Sequence, residues 1–435
     1  MMNKVASPFV KLVERYLPDP YIFVLLLTLV VFAAAVLVEG QSPQQVVEQW
    51  GSGLWGLLSF SMQMLLVLVT GYMLASTPLV KGGLEKMAGL ANSAPKAILL
   101  VSLVSLAASW LNWGFGLVVG ALFAKALARK VEVDYRLLVA SAYSGFVVWH
   151  GGLAGSVPLT IATPGHFSVD QIGVIDTSQT IFATFNLVLV AILFVVMPVV
   201  NRLMLPSKED SVIVPASKLE DEPVPEAENT RPADKLENSV ILAQLTGFAG
   251  LAYLLMYFIN GGTLNLNIVN GLFLFLAIVL HGTPRKLLHS LHQAVKGGAG
   301  IVIQFPFYAG IMAVMVQSGL AQSLSEWLIS LASAQSLPVW SFISAGIVNI
   351  FVPSGGGQWA VQAPVVLPAA LELGADVSRV AMGVAWGDAW TNLIQPFWAL
   401  PVLAIAGLKA KDIMGFCLVQ LLLTGVVIGA VLYWV

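Results

Sequence analysis

The chain has 435 residues, of which 58% are hydrophobic and only 10% are charged. Because a soluble domain has roughly 25% charged residues, this composition predicts an all-α polytopic membrane protein embedded in a lipid bilayer. A net charge of -2 without a basic patch argues against a nucleic-acid partner, and the single Cys417 excludes an internal disulfide and a cysteine metal cluster.

The chain is predicted to begin in the cytoplasm. Met1 to Arg15 contains three basic residues and is typical of an interfacial segment. The apolar run Tyr21 to Val38 predicts the first crossing, and no cleavable signal is expected there. The loop Glu39 to Trp50 lacks Lys and Arg, so the positive-inside rule places it outside. Gly53 to Ala75 then returns to the cytoplasm.

The next unit, over about residues 96–130, is predicted to be a re-entrant helical hairpin. Two apolar runs are separated by Asn112 to Gly116, and basic residues lie at both ends of the unit. A full crossing would place one basic end outside, against the positive-inside rule. A hairpin that enters from the cytoplasm avoids this, provided that protein or water satisfies the backbone at its turn.

A broken span follows this hairpin. Leu137 to Ile161 predicts an outward crossing that is interrupted at His150 to Ser156. The loop Thr163 to Ser178 is predicted to lie outside because it contains no Lys or Arg. Gln179 to Val200 brings the chain back, and residues 1–201 are taken as the N-terminal half.

Residues 202–238 have a different composition from the rest of the chain. Arg202 to Glu237 contains five basic and nine acidic residues, several prolines and almost no apolar periodicity. Such a composition is typical of a flexible segment. It predicts a cytoplasmic linker to a C-terminal half at residues 239–435, with a regulatory or partner-binding segment as the alternative.

Three apolar runs open the C-terminal half. They predict crossings that leave the cytoplasm, return to it and leave it again: Ser239 to Phe258, Ile268 to Leu280 and Gly298 to Gln317. Ala321 to Ala334 predicts a short interfacial helix. Later, Val380 to Leu400 predicts an inward crossing with breaks at Gly387–Asp388 and Gln395–Pro396, and Met414 to Val435 predicts the last span.

A second re-entrant hairpin is predicted over residues 337–372. The apolar run Leu337 to Val352 stops at Pro353, passes a serine and three glycines, and resumes at Gln358. Proline and a glycine triplet break a helix, and each arm is shorter than the ~20 residues of a comfortable span. Because no basic residue follows until Arg379, this hairpin is predicted to enter from the outside.

The two halves match each other at an offset near 240. The matching pairs include Pro43 with Pro284, Gln63 with Gln304, Glu85 with Glu326 and Asn112 with Asn349. Each half is predicted to contain two spans, an interfacial helix, a hairpin, a broken span and a final span, but the halves begin on opposite sides of the membrane. This pattern predicts an inverted-topology repeat, which is typical of secondary transporters that hold their solute at mid-membrane.

Asp388 is the one Asp, Glu, Lys or Arg that lies well inside a predicted apolar segment. Moving a carboxylate to the bilayer centre costs at least ~2.5–3.5 kcal/mol, so Asp388 is predicted to face the bundle interior as a cation ligand, a proton carrier or a gate. Capping of a helix after Gly387 is the alternative. His150 lies in the corresponding broken span and has either a titrating or a structural role. With Asn349, these two residues form the predicted coupling site.

No Arg or Lys is predicted to be buried beside an anionic substrate. An anion is therefore expected to bind helix N-terminal N–H groups and side-chain hydroxyls and amides, an arrangement that suits one carboxylate. The candidate substrate-binding residues are Asn112, Trp113, Gly114, Gly116, Ser156, Ser354, Gly355, Gly356, Gly357, Gln358, Thr391, Asn392 and Gln395. Aromatic residues near the same breaks, expected either to enclose a small apolar tail or only to pack, are Trp113, Phe115, Trp359, Trp390, Phe397 and Trp398.

Five stretches along the chain resemble those of one family. They read LPDPYIF, ASWLNWGFGLVVGALFA, IQFPFYAGI, VNIFVPSGGGQW and QPFWALPVLAIAG, and together they resemble the short-chain fatty acid transporter family of AtoE-like proteins. The resemblance implies an elevator-type mechanism within a wider ion-transporter superfamily and a scaffold that often forms a homodimer interface. It also implies that the hairpin tips Asn112–Gly116 and Pro353–Gln358 bind the substrate and ions.

The leading hypothesis is therefore a secondary transporter, in the inner membrane of a bacterium, of short-chain monocarboxylates such as acetoacetate and butyrate. A cation, H+ or Na+, is expected to drive it, and no cofactor is expected. The alternatives are a dicarboxylate or other organic-anion carrier, or an ion exchanger, of the same superfamily. A more remote alternative is a membrane enzyme or structural subunit, for which the only candidate metal ligands are His281, His289 and His292.

Overall fold

The computed structural model describes residues 20–219, 231–350 and 352–435. The predicted interfacial segment Met1 to Arg15 and residues 220–230 of the linker lie outside the described residues. Within the described ranges all regular secondary structure is helical, and seven segments are long and apolar enough to cross a membrane. The prediction of an all-α polytopic membrane protein is therefore confirmed.

The N-terminal half begins with four helices that alternate between long apolar and short amphipathic segments. Ser42 and Thr77 cap the two amphipathic helices, and a proline occupies the first turn of each, where its missing N–H costs nothing. The helices of this half are α1 (Pro20–Leu37), α2 (Pro43–Gly53), α3 (Leu58–Ala75), α4 (Pro78–Ala88), α5 (Ala94–Leu111), α6 (Trp113–Ala128), α7 (Tyr135–Ser144), α8 (Ser156–Ile161), α9 (Val169–Ile172) and α10 (Thr184–Leu203).

The C-terminal half begins with one additional long helix and then follows the same order of long and short helices. The additional long helix, Val240–Ile259, continues from the short helix at the end of the linker, and the two form one apolar segment. Only 22% of the most apolar stretch of this segment is buried, so the segment lies at the periphery. The helices are α11 (Pro232–Glu237), α12 (Val240–Ile259), α13 (Leu266–His281), α14 (Pro284–Lys296), α15 (Ala299–Ser318), α16 (Leu320–Leu331), α17 (Leu337–Val348), α18 (Gly355–Leu373), α19 (Val377–Asn392), α20 (Pro396–Ala406) and α21 (Ala410–Trp434).

The broken segment formed by α7, a 3-10 turn and α8 lies at the centre of the molecule. The 3-10 turn spans Gly145–Gly151, and 94% of the most apolar stretch of Tyr135–Ile161 is buried. The second broken segment, α19 and α20, contacts this turn, and the two helical pairs α5–α6 and α17–α18 pack around both. Two breaks in the chain are therefore brought together inside a shell of continuous helices.

Each predicted hairpin corresponds to two helices joined by a short interruption, but the interruptions differ from the predicted ones. In the first hairpin only Asn112 separates α5 from α6, so Gly114 and Gly116 belong to the first turn of α6. In the second hairpin the interruption precedes the glycine triplet, and Gly355–Gly357 form the first turn of α18. The reason is Ser354, whose hydroxyl accepts a hydrogen bond from the Gly357 N–H and starts a helix that glycine alone would not favour.

The predicted break at Gly387–Asp388 is wrong. Both residues lie inside the continuous helix α19, and only the predicted break before Pro396 is present. A glycine is required at 387 because an added Cβ would collide with the carbonyl oxygen of Phe342 on α17. Close packing between α17 and α19 therefore explains why a glycine occurs at this position. Asp388 lies within the helix, so it is not a helix cap.

The described parts of the linker make specific contacts, which a purely flexible segment would not. The backbone of Val212 exchanges hydrogen bonds with Asp134 and Tyr135 at the start of α7, at 2.8 and 2.9 Å. At the other end, the Arg285 guanidinium on α14 bonds Asp234 and Glu237 of α11, at 2.6 and 2.7 Å. The linker is thus attached to both halves of the molecule.

Candidate functional site

A small cavity lies where the start of α18 meets the two broken segments and the first hairpin. Its volume is about 30 Å³, enough for about two or three waters at ~10–15 Å³ each. It is walled by aromatic and other apolar side chains, with a few polar groups from the helix starts. The lining residues are Met64, Trp113, Trp149, Ser156, Ile301, Gln304, Phe305, Pro353, Ser354, Gly355, Gly356 and Trp398.

Side chains from neighbouring helices satisfy the broken backbone beside this cavity. The Gly151 carbonyl accepts hydrogen bonds from Trp110 Nε1 at 3.1 Å and from Asn186 Nδ2 at 2.9 Å. The Leu153 N–H donates to the Trp110 carbonyl at 2.7 Å. Irregular backbone at membrane depth is stable only where such partners exist, so the break near His150 is held by the protein and does not depend on bulk water.

The end of α19 is held by two residues of the N-terminal half. The Tyr143 hydroxyl donates to the Asn392 carbonyl at 2.5 Å, and Trp149 Nε1 donates to Asn392 Oδ1 at 3.0 Å. The Tyr143 bond satisfies a carbonyl in the last turn of α19, where carbonyls lose their intrahelical partners. Asn392 therefore fixes Trp149 at the cavity wall and does not itself line the cavity.

A hydrogen-bond network joins the second hairpin to the second broken segment. Asn349 Nδ2 donates to the Asp388 carbonyl and to Thr391 Oγ1, both at 2.9 Å. Gln395 Nε2 donates to the Asn349 carbonyl. The predicted polar residues Asn349, Thr391 and Gln395 are thus brought together, but they fix α17 to the end of α19 and none of them lines the cavity.

A buried acid and a buried base face each other next to the cavity. His150 Nε2 lies 3.6 Å from Asp388 Oδ2, and both side chains are fully buried. Neither the imidazole nor the carboxylate makes a hydrogen bond to the described atoms by strict geometry. An added Cβ on Gly355 would collide with His150 Nε2, so this pair lies directly behind the first turn of α18. Such a pair can accept or release a proton or hold a cation.

Five of the thirteen predicted substrate-binding residues line the cavity: Trp113, Ser156, Ser354, Gly355 and Gly356. The other predicted tip residues do not line this cavity, and in the structure they make packing and capping contacts. Asn112 is fully buried and its side chain caps α6 by accepting from Phe115 N at 2.9 Å. Gln358 Nε2 donates inside its own hairpin to the Ala345 carbonyl at 2.8 Å.

The remaining tip glycines allow close packing between helices. An added Cβ on Gly114 would lie 2.9 Å from the Leu68 carbonyl oxygen, and one on Gly116 would collide with Ser109. At Gly357 it would lie 2.5 Å from the Tyr308 ring. In each case the absent side chain brings a hairpin arm against its neighbour.

The predicted aromatic cluster is only partly assembled. Trp113 and Trp398 pack edge to face with ring centroids 5.3 Å apart at the cavity wall. Trp359 instead belongs to a buried apolar cluster away from the cavity wall, Trp390 packs on Phe342, and Phe115 packs on Phe273. The side chain of Phe397 lies outside what the structure describes.

Several cavity residues were not predicted from the sequence as site residues. Trp149 lies next to His150, and Met64 lies next to Gln63, one of the matched residues of the repeat. Gln304 and Phe305 belong to the stretch IQFPFYAGI, and Gln304 is the repeat partner of Gln63. The repeat match and the family-like stretch are therefore the sequence features from which this wall of the cavity could have been predicted.

No group of three or more His, Cys, Asp or Glu suited to a metal ion occurs among residues 20–219, 231–350 and 352–435. His281 Nε2 lies 2.8 Å from the Met73 carbonyl, so this ring is engaged with the backbone of α3. The histidines proposed for a membrane-face metal site thus include one with a structural partner.

Comparisons with known proteins identify relatives along the whole chain. A model of the short chain fatty acid transporter family matches residues 1–435. Two curated relatives, named as candidate short-chain fatty acid transporters, come from Escherichia coli, with 43% identity over 440 residues, and Haemophilus influenzae, with 40% over 446. Each alignment covers 100% of both chains.

A solved structure shares the fold at low sequence identity. The YdaH transporter of Alcanivorax borkumensis aligns with a TM-score of 0.58 and 16% identity, over 95% of this chain and 98% of that one. At this identity the similarity concerns the fold alone.

Proposed function

Because the chain belongs to the short-chain fatty acid transporter family, we propose that it is a cation-coupled secondary transporter of short-chain monocarboxylates such as acetoacetate and butyrate. The family and the relatives are transporters, which excludes the membrane-enzyme alternative. One observation supports the substrate class: a buried cavity between the two halves has an aromatic wall, a helix start and no Lys or Arg among its lining residues.

The chemistry of the cavity suits one carboxylate with a short apolar tail. The first turn of α18 presents backbone N–H groups, and two of its residues, Gly355 and Gly356, have no side chain to keep an anion away. Trp113 has a buried indole N–H without a hydrogen-bond partner among the described atoms. We infer that these groups bind the carboxylate, while the rings of Trp113 and Trp398 contact the tail.

A dicarboxylate fits this cavity less well. A second carboxylate would need its own donors or a cation, because burial of an unpaired charge costs several kcal/mol. Gln304 is the remaining amide at the wall, and because the Tyr308 hydroxyl donates to its Oε1 at 3.1 Å, its Nε2 is the one amide donor there for a second carboxylate. A monocarboxylate is therefore the leading proposal, and the competition experiment below tests the dicarboxylate alternative.

The same proposal includes an inverted repeat and an elevator-type movement. In support, α1 to α4 and α13 to α16 have the same order of long and short helices, and Pro43 and Pro284 start corresponding amphipathic helices. The cavity of about 30 Å³ is smaller than a four-carbon acid needs, so it corresponds to a closed state from which the hairpin tips must move. A homodimer would supply the fixed scaffold for that movement.

Coupling to a cation is assigned to His150 and Asp388. The pair joins the two broken segments, lies 3.6 Å apart and is closed off from solvent. A proton taken up by this pair neutralises the buried carboxylate and removes the main electrostatic cost of moving it through the bilayer. Sodium bound by the carboxylate would have the same effect, so the choice between H+ and Na+ is left to experiment.

The direct test is uptake of labelled butyrate into proteoliposomes under an imposed proton gradient, a sodium gradient or no gradient. Protein-free liposomes under the same gradients measure the passive entry of the neutral acid. We expect a saturable component that only one of the two gradients drives. Absence of saturable uptake under every gradient would contradict the proposal, and competition by succinate without competition by butyrate would establish the dicarboxylate alternative.

A further inference from the structure

A second cavity lies close to the first, on the predicted outer side of the membrane. Its volume is about 170 Å³, and Ser59, Thr160 and Thr163 place hydroxyl groups along it. It adjoins the loop after α8 and the start of α13, where Thr163 Oγ1 accepts from the Leu266 N–H at 3.3 Å. Residues 162–183 and 259–267 contain no Lys or Arg, which places this outer cavity outside.

The wall of the outer cavity combines apolar and polar groups and has no fixed charge. His166 lines it, and burial lowers the pKa of this imidazole below its usual 6.5, although the backbone of Gly173 opposes the shift. The ring Nε2 lies 2.9 Å from the Gly173 carbonyl, and Nδ1 accepts from Ser168 N. The imidazole is therefore neutral near pH 7, and the cavity offers room for several waters, at ~10–15 Å³ each, without a fixed charge.

Helices α3 and α8 each line both cavities, with residues that lie about one helical turn apart. On α8, Ser156 lines the inner cavity and Thr160 the outer one. On α3, Met64 lines the inner cavity and Phe60 the outer one. Because residues four apart lie on one face of a helix, α3 and α8 form two continuous walls from the outer cavity to the inner one.

The ring of Phe60 occupies the space between these walls. Its centroid lies 5.8 Å from that of Phe167 and 5.7 Å from that of Phe305, which itself lines the inner cavity. An added Cβ on Gly356 would lie 2.8 Å from Phe60 Cζ, so the ring is in contact with the start of α18. Only 7% of Phe60 is exposed.

We propose that the two cavities form one access path from the outside and that Phe60 is its gate. In the structure the gate is closed, because the ring packs against α18 and Phe305. Movement of the start of α18 away from Phe60 removes the surface on which the ring rests and connects the two cavities. This inference relies on the proposed function only for the identity of the solute, since the path is defined by the cavities themselves.

The test measures access to the inner cavity without any substrate. Single cysteines replace Thr163 (outer cavity) or Ser156 (inner cavity), in a background in which the buried Cys417 is replaced by alanine. A membrane-impermeant methanethiosulfonate reagent is added from outside. We expect rapid modification of Thr163→Cys and at least about tenfold slower modification of Ser156→Cys, because the rate scales with the open fraction.

Replacing the gate should remove this difference. Phe60→Ala is expected to raise the modification rate of Ser156→Cys by about tenfold and to leave that of Thr163→Cys unchanged. Phe60→Leu, which keeps an apolar side chain, should raise the modification rate of Ser156→Cys by less. It is the variant to measure if Phe60→Ala does not fold. Phe273→Ala is the matched control, because Phe273 is similarly buried, at 8%, and lines neither cavity.

The inference is overturned if Ser156→Cys reacts at one rate with Phe60, Phe60→Leu and Phe60→Ala, or if Phe273→Ala has the same effect as Phe60→Ala. Reaction of Ser156→Cys only from the cytoplasmic side also overturns it. These outcomes are independent of butyrate uptake, so failure of the gate and failure of the proposed function are distinguishable.

Discussion

The Asp388 carboxylate is a group whose charge state must change or be compensated if this protein moves cations. It is fully buried and lies 3.6 Å from His150 Nε2. We expect Asp388→Asn to abolish gradient-driven uptake of butyrate while expression stays normal, because an amide neither takes up a proton nor holds a cation as a carboxylate does. Uptake into proteoliposomes under the driving gradient measures this effect.

Two further measurements separate coupling from folding and from substrate binding. Glu48→Gln makes the same chemical change on the exposed face of α2 and should leave uptake as in the wild type. Exchange of butyrate across the membrane without a gradient should persist in Asp388→Asn, since the groups proposed to bind the acid are intact. Wild-type accumulation by Asp388→Asn would remove this residue from the mechanism.

Gly356 gives a second prediction at the scale of one residue. Gly356→Val places a side chain in the cavity, where even a Cβ would lie 2.8 Å from Phe60 Cζ and 3.2 Å from Met64 Cγ. We expect loss of saturable uptake, because the acid and the new methyl groups compete for the same space. Gly82→Val on α4 is the control, since a Cβ there meets nothing within 4 Å. Unchanged kinetics in Gly356→Val would place the binding site elsewhere.

The first hairpin depends on a cap, which gives a prediction at the scale of an element. Asn112 accepts from the Phe115 N–H at 2.9 Å and donates to the Val67 carbonyl at 3.4 Å. Asn112→Ala should destabilise the start of α6 by ~1 kcal/mol. Hydrogen exchange at residues 113–118 in nanodiscs should therefore be about fivefold faster.

A matched serine tests whether the effect comes from the cap. Ser93 precedes α5 in the corresponding position, but its side chain makes no capping hydrogen bond. Ser93→Ala should leave the exchange rates of α5 unchanged. Equal acceleration in both variants would show that Asn112 acts through general loosening of the hairpin and not through its cap.

The helices and hairpins could be predicted from the sequence because their signals are local. Apolar runs, the positions of Lys and Arg, and interruptions at Asn112 and Pro353 act within one or two helical turns. What the sequence could not predict depends on tertiary contacts. Gly387 looks like a helix breaker, yet it lies inside α19. A glycine is needed there because α17 passes too close for any side chain.

The candidate site was less predictable for the same reason. The sequence places His150 and Asp388 in corresponding broken spans and so in one predicted coupling site, but no local pattern predicts that their side chains approach each other directly. Gln358 and Asn392 are residue types that often bind solutes, but their side-chain amides already form hydrogen bonds with Ala345 and Trp149. Polar residues at a break either line the cavity or hold the break together, and only the three-dimensional contacts distinguish these roles.

At the scale of the whole molecule, the described parts of the linker contact both halves. One described part of it bonds the start of α7, through Asp134, and the other bonds α14, through Arg285. The first attachment belongs to the segment that ends at the cavity, and the second lies outside the membrane-spanning helices. A relative movement of α7 and α14 would therefore change the distance between these two attachments.

The orientation of the halves gives the last prediction, since opposed hairpins require their two entrances to lie on opposite faces. Single cysteines are introduced at the exposed Ser178 and Ser217 in the Cys417→Ala background. We expect an impermeant thiol reagent to modify Ser178→Cys on intact cells and Ser217→Cys only after permeabilisation, because Lys and Arg concentrate on the cytoplasmic side. Ser52→Cys on α2, predicted to lie outside, is the positive control.

Modification of Ser178→Cys and Ser217→Cys from the same side would contradict the inverted repeat. The segment between them, α10, is 20 residues long and apolar, the length of one crossing at 1.5 Å per residue. If α10 does not cross, the linker and the outer cavity share a compartment and the second hairpin has no opposite face from which to enter. The proposed elevator-type movement would then lose its structural basis, whereas the family membership would be unaffected.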